Sequence, residues 1–91
     1  MGPIEQRIKA GAGAVAPEID KIDKNDLRER IGTRLRFFRL RRNMTLAAVA
    51  TATGIGASHL SRVESGQAGA DIVHLLRLAQ VYEVKVGELI S

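Results

Sequence analysis

The sequence has no cysteine and few aromatic residues, which make up 3% of its 91 residues. Without thiols the chain can form neither a disulfide framework nor a thiolate metal site. So few aromatic side chains argue against a stacking platform for single-stranded nucleic acid or RNA. No apolar run approaches membrane-spanning length, and no segment resembles a signal peptide. We therefore expect one small cytoplasmic domain, with no membrane contact, no small-molecule ligand and no cofactor.

Positive charge is concentrated in one part of the chain. The net charge is +4, and seven arginines against a single acid, Glu29, lie between residues 28 and 42. A basic block of this kind on one helix favours a polyanionic partner, although a solvated helix face has the same composition. Arginine suits phosphate because its planar guanidinium can bond two oxygens at once. The distribution of charge therefore indicates nucleic acid more strongly than the net charge does.

The N-terminal part of the sequence differs from the remainder. Residues 11–17 are small and uncharged, with little to bury, and are typical of a linker. We interpret residues 1–25 as a flexible N-terminal tail or linker, in which residues 4–8 could form one helical turn. Residues 26–91 are expected to form the folded domain.

Apolar periodicity predicts a long first helix with one buried stripe. Asn25 or Asp26 is the expected N-cap, and Asn43 can take the left-handed conformation at the other end. Phe37 and Leu40 lie off the stripe, where they form an exposed apolar spot or pack on the N-terminal segment. The stripe itself consists of Leu27, Ile31, Leu35 and Phe38.

Four shorter helices are predicted after it. The second follows the N-cap Thr45 and stops at Gly54, and the third runs from about Ala57 to Ser65. Asp71 caps the fourth helix. The apolar positions of the fourth and fifth helices are Ile72, Leu75, Leu76, Leu78 and Ala79, then Val86, Leu89 and Ile90. No strand is expected, because the alternating valines at 84 and 86 have no partner strand.

The second and third helices and their tight turn match a helix-turn-helix unit. Gly54 permits the positive φ that such a turn needs. Because Leu60 and Val63 face inward, the outward positions of the third helix are placed to enter a major groove. Those positions are Ala57, Ser58, Ser61 and Arg62. The Arg62 side chain can donate two hydrogen bonds to a guanine, or it can contact a phosphate or form a salt bridge.

With these motifs in place, residues 31–90 resemble the Cro and phage-repressor helix-turn-helix family, also called the Xre family. The resemblance rests on residues 31–36 with Arg39, on residues 45–46 and 49–50, and on Gly54 with residues 60–66. Residues 75–76, 78–79 and 84–89 also fit the family. It implies an all-α, five-helix, lambda-repressor-like domain that binds double-stranded DNA as a homodimer. The implied role is a sequence-specific transcriptional regulator, and more specifically a repressor. The resemblance also implies a structural ion pair between Arg39 and Glu64.

DNA contacts are expected from the two helices of the motif and from the residues that follow them. The expected set is Thr45, Leu46, Gly56, Ala57, Ser58, His59, Ser61, Arg62, Ser65 and Gln67. Weaker phosphate contacts are expected from Arg36, Arg41 and Arg42. Leu46 replaces the glutamine usual in the family, so its phosphate contact falls to the helix N-terminus. Gly56 replaces a usual Ser or Thr cap.

Two other functions remain open at this stage. One is a protein-interaction module, such as an antitoxin or an adaptor, whose basic helix meets an acidic partner; Phe37 and Leu40 favour it. The other is a non-specific DNA organiser. The homodimer contact is expected on the last helix, at Val86, Leu89 and Ile90, with Phe37 and Leu40 as the second choice.

Neither enzymatic activity nor a metal site is expected. No set of titratable groups has a useful spacing, and Ser61 has no His–Asp arrangement to activate it. His59 and His74 lie on different predicted helices, without cysteine or paired acidic ligands, so no metal site is predicted.

Overall fold

The computed structural model describes residues 23–91, which form five helices and no strand. The helices are α1 (Lys24–Arg41), α2 (Leu46–Thr53), α3 (Ala57–Glu64), α4 (Ile72–Tyr82) and α5 (Val86–Ile90). This confirms the all-α, five-helix expectation. Residues 1–22, which contain most of the predicted tail and the predicted turn at 4–8, lie outside the described part. None of the five helices has both the length and the apolarity to cross a lipid bilayer.

Helix α1 begins earlier than the sequence pattern suggested. Asp23 is the N-cap, with an extended backbone, and its carboxylate accepts a hydrogen bond from the Asn25 N–H at 2.8 Å. The predicted caps, Asn25 and Asp26, are already helical. All three side chains can cap a helix, so only the backbone conformation at residue 23 decides between them. At the other end Asn43 has a φ of 55°, in the left-handed region as expected.

The buried stripe of α1 is shorter than predicted. Leu35 and Phe38 are buried and Ile31 packs against the core, but Leu27 is 37% exposed. Leu27 lines a groove with loop residues 68–70 and with Val63 of α3, and this groove leaves its side chain partly open to solvent. The core that remains is formed by Leu35, Phe38, Val49, Ile55, Leu60, Val63, Leu75, Leu78, Ala79, Tyr82 and Leu89.

The turn between α2 and α3 is held by backbone and side-chain hydrogen bonds. Gly54 has a φ of 76°, and its N–H donates to the Ala50 carbonyl at 2.8 Å. The buried Thr53 hydroxyl donates to the Val49 carbonyl at 2.7 Å and accepts from the Ile55 N–H at 3.2 Å. Glycine is suited to this position because a side chain would strain the left-handed backbone. The turn therefore fixes the direction in which α3 leaves α2.

Helix α1 meets α3 through a glycine. A Cβ atom on Gly32 would lie 2.5 Å from the Glu64 carbonyl oxygen and closer still to that of Val63. Any side chain at this position would collide with the last turn of α3. The absence of a side chain at Gly32 is what permits the two helices to approach so closely.

Helices α4 and α5 close the domain, and only one face of α4 is buried. Asp71 caps α4 by accepting a hydrogen bond from the His74 N–H at 2.8 Å, as the sequence predicted. Two of its predicted apolar positions, Ile72 and Leu76, are 61% and 51% exposed. The apolar pattern of α4 did not show which of its two sides is buried. Helices α1, α2 and α5 all pack on the side opposite Ile72 and Leu76.

Candidate nucleic-acid interface

The solvent-facing edge of α3 carries the residues predicted to read DNA. Leu60 and Val63 are buried, which turns Ser58, Ser61 and Arg62 to solvent. The Arg62 guanidinium forms no hydrogen bond or salt bridge with any residue between 23 and 91. A free guanidinium beside two hydroxyls presents donors and acceptors along one edge, which is the chemistry that base edges in a major groove require. Ala57 and His59 are partly buried on the flanks of this edge.

The N-terminus of α3 has free backbone donors. Its N-cap, Gly56, supplies no side-chain hydrogen bond, and a Cβ atom there would meet nothing within 4 Å. The first N–H groups of a helix have no partner within the helix and attract anions. At the start of α2, by contrast, the Thr45 hydroxyl accepts from the Ala48 N–H at 3.1 Å. An approaching phosphate therefore finds one helix end capped by a side chain and the other open.

A groove between α1, α2 and α3 joins several of the predicted residues. Arg36, Leu46, Ser61 and Ser65 all line it. The Ser65 hydroxyl donates to the Arg62 carbonyl at 3.1 Å, and Gln67 lies exposed just beyond. The structure thus brings Arg36, at the edge of α1, onto the same side as the exposed residues of α3.

The other two predicted phosphate contacts lie elsewhere. Arg41 and Arg42 line a different groove, beside the turn between α4 and α5. Arg42 forms a salt bridge with Glu83. Contact of these two arginines with phosphate stays a prediction, but they do not share the groove that contains Arg36 and Ser61.

Arg39 and Glu64 form a two-pronged ion pair between α1 and α3. Arg39 Nε lies 2.7 Å from Glu64 Oε2, and Nη2 lies 2.9 Å from Oε1. The third nitrogen, Nη1, donates to the Met44 carbonyl at 2.9 Å. Both side chains are largely buried, at 12% and 8% exposure. The hydrogen bond with Glu64 raises the pKa of Arg39 above its ordinary value, so the guanidinium stays charged.

Tyr82 packs near this pair and offers a spectroscopic test of it. Burial raises the pKa of Tyr82 to about 12, and the charge of Glu64 adds to the rise. An unfolded tyrosine ionises near pH 10. The contribution of neutral Tyr82 to the free energy of unfolding is therefore fully present below about pH 10. It is lost between about pH 10 and 12, where the free energy of unfolding should fall by roughly 2–3 kcal/mol. Since Tyr82 is the sole tyrosine and tryptophan is absent, tyrosinate absorbance reports it directly. A midpoint near pH 10 in the folded protein would contradict this environment.

The two histidines approach each other across α3 and α4. The rings of His59 and His74 are edge to face, with centroids 5.5 Å apart, and Asp71 Oδ1 lies 3.8 Å from His74 Nδ1. Within residues 23–91, no three His, Cys, Asp or Glu side chains are grouped to hold a metal ion. The pair packs α3 against α4, a contact that spacing along the sequence did not reveal.

Sequence reasoning also missed two polar residues that support the motif. Thr53 is buried, and the Arg77 guanidinium donates to the Thr53 carbonyl at 3.4 Å. Together they tie the end of α2 to α4. A threonine just before a turn glycine was the available signal, because its hydroxyl can bond the turn backbone. Nothing in the sequence pattern connected Arg77 to the turn.

Comparison with known proteins gives a consistent result. Residues 30–90 match the family model of a helix-turn-helix domain. No curated protein matches the chain. Among solved structures, the restriction-modification controller protein C.AhdI from Aeromonas hydrophila is 29% identical, with a TM-score of 0.66, covering 68% of this chain and 94% of that one.

A second solved structure, an HTH_3 family transcriptional regulator from Vibrio cholerae, is similar in fold. It is 24% identical with a TM-score of 0.69, and the match covers 74% of this chain but 38% of that one. The family match spans most of the sequence, and the fold agrees with both structures. The chain therefore belongs to the Cro/Xre-type helix-turn-helix family.

Proposed function

We propose that this protein is a transcriptional regulator that reads operator DNA with α3 in the major groove. The observation that carries the proposal is the solvent-facing edge of α3, where Ser58, Ser61 and Arg62 stand beside an open helix N-terminus. In a helix-turn-helix unit, the second helix presents its exposed residues to base edges. Arg36 and the first turn of α2, where Leu46 lies, line one groove beside that helix. The Arg36 guanidinium and the α2 backbone N–H groups that Thr45 does not cap are suited to a phosphate there.

The regulatory direction that we propose is repression. A domain that occupies the major groove of an operator excludes other proteins from the same DNA. A control function is supported by the similarity to C.AhdI, which is described as a restriction-modification controller protein. The direction can be tested with a reporter gene placed behind a DNA site that this protein selects from a random pool. Expression should fall when this chain is produced, and a rise would contradict repression.

Arg62→Ala should weaken DNA binding without affecting the fold. Because Arg62 is exposed and unpaired within residues 23–91, its loss should change the free energy of unfolding by no more than about 0.5 kcal/mol. On a preferred DNA fragment the same change should cost about 1–3 kcal/mol of binding free energy. Fluorescence anisotropy with labelled fragments measures the binding, and thermal unfolding measures the stability.

A matched control comes from a helix outside the helix-turn-helix motif. Lys85→Ala removes an exposed positive charge at the cap of α5, far along the chain from the motif. It should leave binding within about twofold. If Arg62→Ala instead lowers affinity equally for every DNA sequence, the side chain contacts only phosphate and does not read bases.

We further propose that the regulator binds DNA as a homodimer through α4. One recognition helix reads few base pairs, and two copies double the site. The sequence-based interpretation placed the contact on Val86, Leu89 and Ile90, but Leu89 is fully buried in its own core and is not available. The exposed apolar surface with the most residues is on α4, where Ile72, Val73 and Leu76 are 61%, 50% and 51% exposed.

Leu76→Glu should dissociate this dimer. Two glutamates would meet across the twofold axis, so the dimer dissociation constant should rise at least about tenfold, or 1.4 kcal/mol. Leu40→Glu is the matched control, because Leu40 is also 51% exposed but lies on α1. Sedimentation with and without DNA distinguishes the two. Dissociation by Leu40→Glu alone would place the interface on α1 instead.

A further inference from the structure

A second apolar surface lies on the solvent-facing side of α1. Phe37 and Leu40, one turn apart, are 53% and 51% exposed. Arg30 and Arg41 flank Phe37 on one edge, and Thr33 continues the strip one turn earlier. We call these five residues the α1 outer surface. Two large apolar side chains exposed next to each other on one helix form a candidate contact surface.

The centre of this surface, Phe37 and Leu40, is about half exposed. Its edges reach neighbouring segments, since Arg30 and Thr33 share a groove with Ser91. Gly32 and Arg39 mark the side of α1 that meets α3. Arg34 marks the side that meets α5, because its Nε donates to the Glu88 carbonyl at 2.8 Å. Phe37 and Leu40 lie on the remaining side of the helix. The α1 outer surface is therefore distinct from the edge of α3 that we propose reads DNA. Arg36, one turn before Leu40, lies between the two, because it lines the groove that reaches Ser61.

Within residues 23–91, neither arginine of the α1 outer surface is bonded to an acid, although acids lie nearby. Arg30 shares a groove with Asp26 and Glu29. Arg30 and Arg41 form no hydrogen bond or salt bridge with any residue in the described part of the chain. Arg41 shares a groove with Glu83 and Glu88. Glu83 already pairs with Arg42, and the Glu88 carboxylate accepts from the Lys85 N–H at 2.9 Å. The two free guanidinium groups beside an apolar pair are complementary to a partner with acidic and apolar residues together.

We propose that the α1 outer surface binds an acidic amphipathic helix of another protein. The apolar side chains of that helix contact Phe37 and Leu40, and its carboxylates pair with Arg30 and Arg41. Apolar contact supplies most of the binding free energy, and the arginines select acidic partners over neutral ones. The inference goes beyond DNA reading: it gives the regulator a second contact, on a different side of α1 from α3.

The test titrates the full chain with a synthetic peptide that has leucines at i, i+3, i+4 and i+7 and glutamates elsewhere. A peptide of the same composition in scrambled order is the control, because it keeps the charge but has no apolar face. NMR chemical shifts should move at the five residues of the α1 outer surface with the patterned peptide only. Equal binding of the scrambled peptide, or shifts confined to other residues, would overturn the proposal.

Variants make the result specific. Phe37→Ala with Leu40→Ala should lower affinity for the patterned peptide by about tenfold to a hundredfold and leave DNA binding unchanged. Ile72→Ala with Leu76→Ala removes exposed aliphatic side chains of similar exposure on α4 and should not affect the peptide. If the α1 variant instead dissociates the homodimer, the occupant of this surface is a second copy of the chain, and the proposal is wrong. If it leaves peptide affinity unchanged, the proposal is also wrong.

Discussion

Glu64→Ala is expected to lower the free energy of unfolding by about 3–5 kcal/mol, because it leaves a largely buried guanidinium without its carboxylate. Arg39 would lose two hydrogen bonds, of 2.7 and 2.9 Å, and keep only the one to the Met44 carbonyl. A domain of this size has a total free energy of unfolding of that order. A large fraction of the variant should therefore be unfolded under conditions in which the wild-type protein is folded. DNA binding should disappear as a consequence of unfolding.

Urea titration of the purified variants measures this loss directly. Glu64→Gln is the informative companion, since its amide oxygen still accepts one hydrogen bond from Arg39 but carries no charge. Its loss should fall between wild type and Glu64→Ala. If Glu64→Ala is as stable as wild type, the ion pair does not support the packing of α1 on α3, and the account of these two helices is wrong.

Gly32→Ala should be as damaging, although alanine is the better helix former. Its Cβ would lie at 2.5 Å or less from two carbonyl oxygens in the last turn of α3. Both obstacles are backbone atoms that cannot rotate away, so α1 and α3 must separate. The expected loss of about 3 kcal/mol is at the upper end for overpacking and exceeds the roughly 1 kcal/mol gained in helix propensity.

Gly87→Ala provides the control for that substitution. Gly87 also lies within a helix, α5, but a Cβ there would meet nothing within 4 Å. It should be neutral or stabilise by up to about 1 kcal/mol. Thermal unfolding of both variants separates the clash from the propensity, and equal melting temperatures would show that α1 does not pack on α3 as described.

Much of the fold was predictable from local chemistry. Thr45 and Asp71 are strong caps, Gly54 suits a left-handed turn, and the spacing of Leu60 and Val63 fixed which side of α3 faces solvent. These signals depend on residues that are close together in the chain, so they can be recognised from a single sequence. The placement of Ser58, Ser61 and Arg62 on one exposed edge follows from the same periodicity.

The remaining features depend on contacts between helices, which periodicity does not encode. Leu76 was predicted with the apolar positions of α4 but is exposed, because no helix within residues 23–91 covers that face. Leu89 was assigned to a dimer contact and instead fills the core. The Gly32 contact, the His59–His74 pair and the separation of Arg41 from Arg36 likewise arise only when distant segments meet. The sequence pattern predicts which side of each helix is apolar. The contacts between helices determine which of those apolar residues are buried and by which neighbouring helix.

Selection of bound sequences from a random double-stranded DNA pool tests the central claim most directly. The account predicts an enriched inverted repeat, with half-site centres about one helical turn, or roughly 10 base pairs, apart. In the same selection, Arg62→Ala should lose its preference at one base pair of each half-site and keep the spacing. A wild-type pool that yields no shared motif, or an identical motif from both proteins, would contradict sequence reading by α3.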